Sequence, residues 1–327
     1  MTTIAPPSPR EITTEPRTSD KVFRGLVTAG GLSSLLILGL IAIFLGYRGF
    51  EVLVQEGFGF ITNSDWSVTV DENANVVDSS FGLAAMLVGT ILCAFVAVVI
   101  ALPISVFSAL FLNFYAPDRL KRFLVALIDM MAAFPSILFG IWGFLVLMPS
   151  VEYWAKLIHR YLGFIPIFDM QVPVFTRSPF VAGVVLAIMI IPIITSVTRE
   201  VMSRVDKELI SAAFALGGTS FSSLRRVVIP TAKSGILGGI LLGLGRALGE
   251  TVAIYYVLNL LFETNFYSIL EPRGGSIASL IISRFGEATQ IELNALMAAG
   301  VVLFIFTLIV NMFATAIVQR AEKRMAS

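Results

Sequence analysis

The sequence predicts an all-α polytopic membrane protein with six transmembrane helices and both termini cytoplasmic. Three observations carry that prediction. Of 327 residues, 57% are hydrophobic and only 14% charged, against about 25% charged in a soluble domain. Six apolar stretches, near 23–47, 82–115, 123–148, 180–197, 234–262 and 293–318, approach or exceed the ~20 residues that cross a bilayer as a helix. Lysine and arginine also alternate between connections. With the N-terminus inside, sixteen fall on inner segments and six on outer ones, the asymmetry that orients membrane proteins.

Residues 1–20 are rich in Pro, Thr, Ser, Glu and Arg without an apolar core, which predicts a disordered cytoplasmic tail. The rest, 21–327, reads as one transmembrane domain. The first apolar run is long enough to span and lacks a cleavage site, so it is not a signal peptide. Residues 49–80 follow as an extracytoplasmic loop with Glu51, Glu56, Asp65, Asp71, Glu72 and Asp78. It reads as solvated, the alternative being a small cap with Trp66 at the interface. The second span contains Pro103, a bend site. The third contains Asp129 and Pro135.

The outer loop 149–179 includes an amphipathic stretch, 151–162, with Tyr153, Trp154 and Tyr161. Such aromatics mark the headgroup belt, and His159 there reads as interfacial rather than as a ligand. The fourth span contains Pro192. The inner segment 198–233 is too patterned for a linker. Its residues 209–216 read as helix, Gly217-Gly218 as a break, Thr219 or Ser220 as a cap, and 221–228 as a second helix ended by Pro230. Helix, glycine turn, helix is a shape that docks into a partner's groove. After the fifth span, 276–285 lies on the membrane surface or dips into the protein.

The fifth span holds the chemistry. It reads Gly243-Leu244-Gly245-Arg246-Ala247-Leu248-Gly249-Glu250-Thr251. A charge at mid-membrane costs roughly 2.5–3.5 kcal/mol on insertion scales, so Arg246 and Glu250 must face protein, water or a substrate. Four residues apart on a helix, they would share a face and touch. The charges alone leave a structural ion pair and a transport pair equally open. Asp129 is the other acid in an apolar run, with packing and pathway roles both open. A single cysteine, Cys93, excludes an intrachain disulfide. With one histidine, His159, a zinc site or catalytic triad has no residues to draw on. No Gly-x-x-x-x-Gly-Lys-Ser/Thr loop occurs, so the chain should not hydrolyse ATP itself. No cofactor, metal or nucleic acid is expected.

Ser211-Ala212-Ala213-Phe214-Ala215-Leu216-Gly217-Gly218, with Val228-Ile229-Pro230 beyond, resembles the Glu-Ala-Ala loop of ABC importer permeases, with Ser211 in place of the usual glutamate. Residues 133–143, Ala-Phe-Pro-Ser-Ile-Leu-Phe-Gly-Ile-Trp-Gly, and the Gly245–Thr251 stretch resemble phosphate-specific permeases. Arg284-Phe285-Gly286-Glu287-Ala288, with Trp142, is similar to the PstC type within that family.

The resemblance implies a MetI-like permease fold and an inner-membrane location. It implies that Ser211, Ala212, Ala213, Gly217, Gly218 and Phe221 couple to an ATPase, making 198–233 a coupling segment. It implies a phosphate pathway at Arg246, Glu250, Thr251 and Asp129, with Arg246 and Glu250 as its gate. The implied partners are a PstA-like permease, a PstB-like ATPase dimer, a PstS-like phosphate-binding protein and the lipid bilayer. The chain would not be an enzyme itself. The competing readings are a permease for sulfate or molybdate, and an ion-coupled transporter or channel that works without an ATPase.

Overall fold

The structure is a computed structural model that describes residues 18–70 and 76–326. The expected disordered tail lies outside the described residues up to position 17, and Thr18–Asp20 already form the first turn of α1. Asp71 and Glu72 of the acidic loop also lie outside them.

Among the described residues, six helices are long and apolar enough to cross a membrane: α1 (Thr18–Glu56), α3 (Ala84–Tyr115), α5 (Ser136–Leu162), α6 (Pro179–Ser203), α8 (Ser220–Gly249) and α11, whose spanning part is Gln290–Ala316. The short α2 (Gly59–Thr62), α4 (Asp118–Ala133), α7 (Lys207–Ala215), α9 (Val252–Val257) and α10 (Ile277–Arg284) fill the connections. The centre is α3 against α6. Gly183 receives Val96 without room for a side chain, and Ser105 donates to the Ile191 carbonyl at 3.2 Å. α8 and α9 complete this core through Ala247, Leu248, Ala253 and Ile254. α1 stands apart. Almost all its apolar side chains are exposed, and Gly49 and Val52 near its end are buried. Gly49 meets Ala298 of α11. An exposed apolar helix of this length is what lipid would cover.

Three expectations shift. The apolar run 123–148 is not one span. Phe134 and Pro135 are extended, because the proline ring forces its predecessor out of helical geometry. The run splits into α4, an amphipathic helix, and α5. α5 continues through the stretch expected to lie in the headgroup belt, burying Met148, Val151 and Ala155. Similarly, Pro230 does not end a helix but sits inside α8. In both cases a π turn precedes the proline, Gly143–Leu147 before Pro149 and Leu224–Val228 before Pro230. The wider turn accommodates a ring that would clash with an α-helical carbonyl.

The third shift is the loop 49–80, which is not merely solvated. α1 runs on to Glu56, then α2 leads into an antiparallel hairpin, β1 (Trp66–Val70) and β2 (Val76–Phe81). The Trp66 indole N–H donates to Glu292 at 2.8 Å, a buried bond to α11. Glu56 accepts from the Phe81 amide at 3.0 Å. Phe60, Trp66, Phe81 and Met86 share one apolar cluster with Ile277, Leu280 and Leu296. The loop is therefore a small cap seated on α10 and α11. α10 dips into the protein, with Ser276 and Ser279 forming a capping box at its start.

Candidate functional site

The Gly243–Thr251 stretch is a helix break. α8 ends at Gly249, Glu250 is extended (φ −71°, ψ 124°), and α9 starts at Val252. Arg246 and Glu250 therefore do not share one helix face, and the expected ion pair is not formed. Among the described residues no carboxylate lies within 4.0 Å of Arg246, which is exposed on the last turn of α8. Glu250 is 7% exposed, and its Oε1 accepts from the Ala253 amide at 3.3 Å. A carboxylate there satisfies an otherwise orphaned N–H and complements the positive end of α9. Thr251 donates to the Gly249 carbonyl at 3.2 Å. Discontinuous helices of this kind bring helix ends and unpaired backbone groups into a membrane, where they can bind ions.

Asn311 of α11 was not singled out from sequence. Its Oδ1 is buried without a hydrogen-bond partner, and its amide nitrogen lies nearest the space beside Gly245. A lone amide in an apolar span was the available signal.

Asp129 is not inside a span. It is exposed on α4 and accepts from Ser196 of α6 at 3.0 Å. It lines an open cavity of about 760 Å³ with Asp118, Lys121, Arg122 and Arg199. Those surroundings are largely charged, whereas Glu250 is buried.

At the opposite end of α8, α7 carries Ser211, Ala212 and Ala213. Asp206 caps its start, accepting from the Glu208 amide at 2.9 Å. Its end is closed by Gly217 N–H to the Phe214 carbonyl at 2.9 Å and Gly218 N–H to the Ala213 carbonyl at 2.9 Å. Gly217 has φ +82°, the left-handed residue that glycine serves at a helix end. Thr219 then caps α8, accepting from Ser222 at 3.3 Å. The turn leaves large apolar side chains in the open: Leu216 is 90% exposed and Phe221 67%. Their exposure beside Ser211 and Ala212 makes a compact apolar knob. From Ser220 to Arg246 the helix is continuous, about 40 Å at 1.5 Å per residue.

Residues 101–327 match the family model described as "Binding-protein-dependent transport system inner membrane component". The chain is 36% identical over 309 residues to the phosphate transport system permease protein PstC of Pasteurella multocida, covering 93% of this chain and 92% of that protein. It is 36% identical over 304 residues to PstC 2 of Mycobacterium tuberculosis, covering 92% of each. A PstC of Xylella fastidiosa is 36% identical over 309 residues, with 94% and 92% covered. Six membrane-crossing helices, a glycine-closed turn on one face and a broken fifth span accord with these matches: the chain belongs to the family of binding-protein-dependent transport system inner membrane components.

Proposed function

We propose that this chain is the phosphate-conducting permease subunit of an ATP-driven importer in a bacterial inner membrane, with both termini cytoplasmic. The observation that carries the reading is the broken fifth span, which holds an unpaired Arg246 beside the α8–α9 break, in a chain whose relatives are named phosphate transport permeases. Phosphate carries one to two negative charges at neutral pH and needs compensating charge and donors to pass a low-dielectric region. Arg246 stays protonated and offers a planar fork that fits two oxygens. Glu250 holds the start of α9 and thereby the break itself. Thr251 donates to the Gly249 carbonyl across the break.

Energy enters at the other end. The knob on α7 and the start of α8, residues 207–221, supplies the docking surface for an ATPase dimer. Closure of that dimer on ATP moves the knob, and α8 carries the movement about 40 Å to Arg246. A PstA-like permease completes the pathway, and an extracytoplasmic phosphate-binding protein delivers the anion. This chain has no catalytic role of its own in the scheme.

The test is Arg246→Gln in an assembly reconstituted with its ATPase and binding protein. Phosphate uptake should fall at least tenfold, the order of one lost charge-assisted bond, while basal ATPase activity persists. Normal uptake would sink the reading. Uptake of sulfate or molybdate in preference to phosphate by the unmodified assembly would reassign the substrate.

A further inference from the structure

A second cationic group stands free at the end of the molecule away from the knob. Arg177 immediately precedes Ser178, the N-cap of α6, and α6 then runs about 37 Å toward α7. Its guanidinium carbon lies 5.0 Å from the centre of the Phe144 ring. A cation over an aromatic face is attracted by the ring's quadrupole, a contact that uses none of the guanidinium's N–H donors and so leaves them available to an oxyanion. Among the described residues no carboxylate lies within 4.0 Å of it. It lines a cavity of about 400 Å³ with Tyr255, Tyr256, Leu258 and Leu260, within the ~300–1,000 Å³ of small-molecule sites. Neither tyrosine hydroxyl has a hydrogen-bond partner among the described residues. Both tyrosines belong to α9, the helix that begins directly after Glu250.

The backbone adds an independent sign. Arg177 has φ +50°, and it is the one non-glycine residue with positive φ among those described. A non-glycine residue in that region costs about 1–3 kcal/mol and persists where its surroundings over-determine it. Here the Arg177 carbonyl is pinned by the Asn259 amide at 3.1 Å, just beyond α9. Phe144 lies in the π turn Gly143–Leu147. A glycine at 177 would hold the turn more easily, so the arginine side chain is what the strain retains.

We infer that Arg177, with the hydroxyls of Tyr255 and Tyr256, forms an oxyanion way-station at the α9 end of the pathway, separate from Arg246. It takes a tetrahedral anion by a charge-assisted fork from Arg177 and neutral donors from the tyrosines. The α8–α9 break then lies between two stations, so the anion passes from one arginine to the other across it. The inference rests on the proposed phosphate pathway. The same chemistry could instead serve a lipid headgroup or a contact with the binding protein, and the test separates them.

The complete assembly is reconstituted in phosphatidylcholine vesicles, with and without phosphatidylglycerol, and uptake of inorganic phosphate is measured at saturating binding protein. Arg177→Gly removes the side chain while suiting the backbone, so its thermal midpoint should equal or exceed that of the unmodified chain. Its uptake turnover should fall at least about tenfold, equally in both lipid mixtures, and Arg177→Lys should retain more activity than Arg177→Gly. Unchanged turnover overturns the inference. So does a loss that depends on phosphatidylglycerol, or one that vanishes at saturating binding protein.

A second measurement does not need Arg177 altered. Cys93, the only cysteine of this chain, is buried, so a thiol reagent on a Leu260→Cys chain reads position 260, which lines the cavity but supplies no donor. Inorganic phosphate should slow that labelling severalfold, and absence of protection overturns the inference. An unmodified assembly that takes up no phosphate defeats the parent reading and this one with it. Normal uptake with unaffected Arg177 variants defeats this one alone.

Discussion

Replacing Gly217 by alanine isolates one energy term. An added Cβ would meet nothing within 4 Å, so the substitution costs no packing. The whole penalty comes from φ +82°, which an L-residue adopts at a cost of roughly 1–2 kcal/mol. At 1.4 kcal/mol per tenfold, the turn between α7 and α8 should lose its native geometry by a factor of about 5 to 30. The knob should therefore bind the ATPase more weakly by about that factor, while the thermal midpoint of the membrane core hardly moves. Gly217→Asn should do less harm, because asparagine tolerates the left-handed region. Gly218→Ala offers the contrast. Its Cβ would lie 2.6 Å from the Ala213 carbonyl oxygen, the same oxygen that accepts the Gly218 N–H, so the clash breaks the helix cap directly. Titrating purified ATPase against each variant in detergent gives the ranking. Equal affinity for Gly217→Ala and the unmodified chain, or a worse result for asparagine than for alanine, would refute the argument.

Trp66→Phe should destabilise the outer cap by about 1–3 kcal/mol, because it leaves the buried carboxylate of Glu292 without its donor; a thermal midpoint unchanged from the parent would contradict this. Glu250→Ala should cost about 1 kcal/mol through the lost cap on α9, and Glu250→Gln, which keeps an acceptor, should recover most of that stability in the same melt. Asn311→Leu removes an unpartnered buried oxygen and should raise the thermal midpoint; a fall would show that the amide has a partner in the assembled complex.

What was legible in the sequence followed physical period and cost. The apolar runs located α1, α3, α6 and α11 because a bilayer imposes one length. Gly217 and Thr219 announced the turn and cap because few other residues fit those backbone positions. What misled was proline and the i,i+4 rule. Pro135 broke a run that composition alone joined, while Pro149 and Pro230 were absorbed by π turns that leave no trace in residue type. The Arg246–Glu250 pairing assumed an unbroken helix, and Gly249 ended it. The hairpin over 66–81 was hidden because its strands are short and its partner, Glu292, is more than two hundred residues away. Arg177 carried no signal of its own, since neither its positive φ nor its position over Phe144 can be read from a sequence.

The contact of α8 with α6 has a further consequence. Gly235, Gly239 and Gly243 line up at four-residue steps, and the space beyond each is filled by Val201, Val197 and Ile194 respectively. Along this stripe the side chains of α6 seat in notches of bare α8 backbone, and Ile236, Ile240 and Leu244 of α8 pack into the same cores beside it. Side chains set into notches fix the axial position of one helix against another. α8 is therefore keyed to α6 along about two turns, and a push at the Gly217 end moves the two helices together.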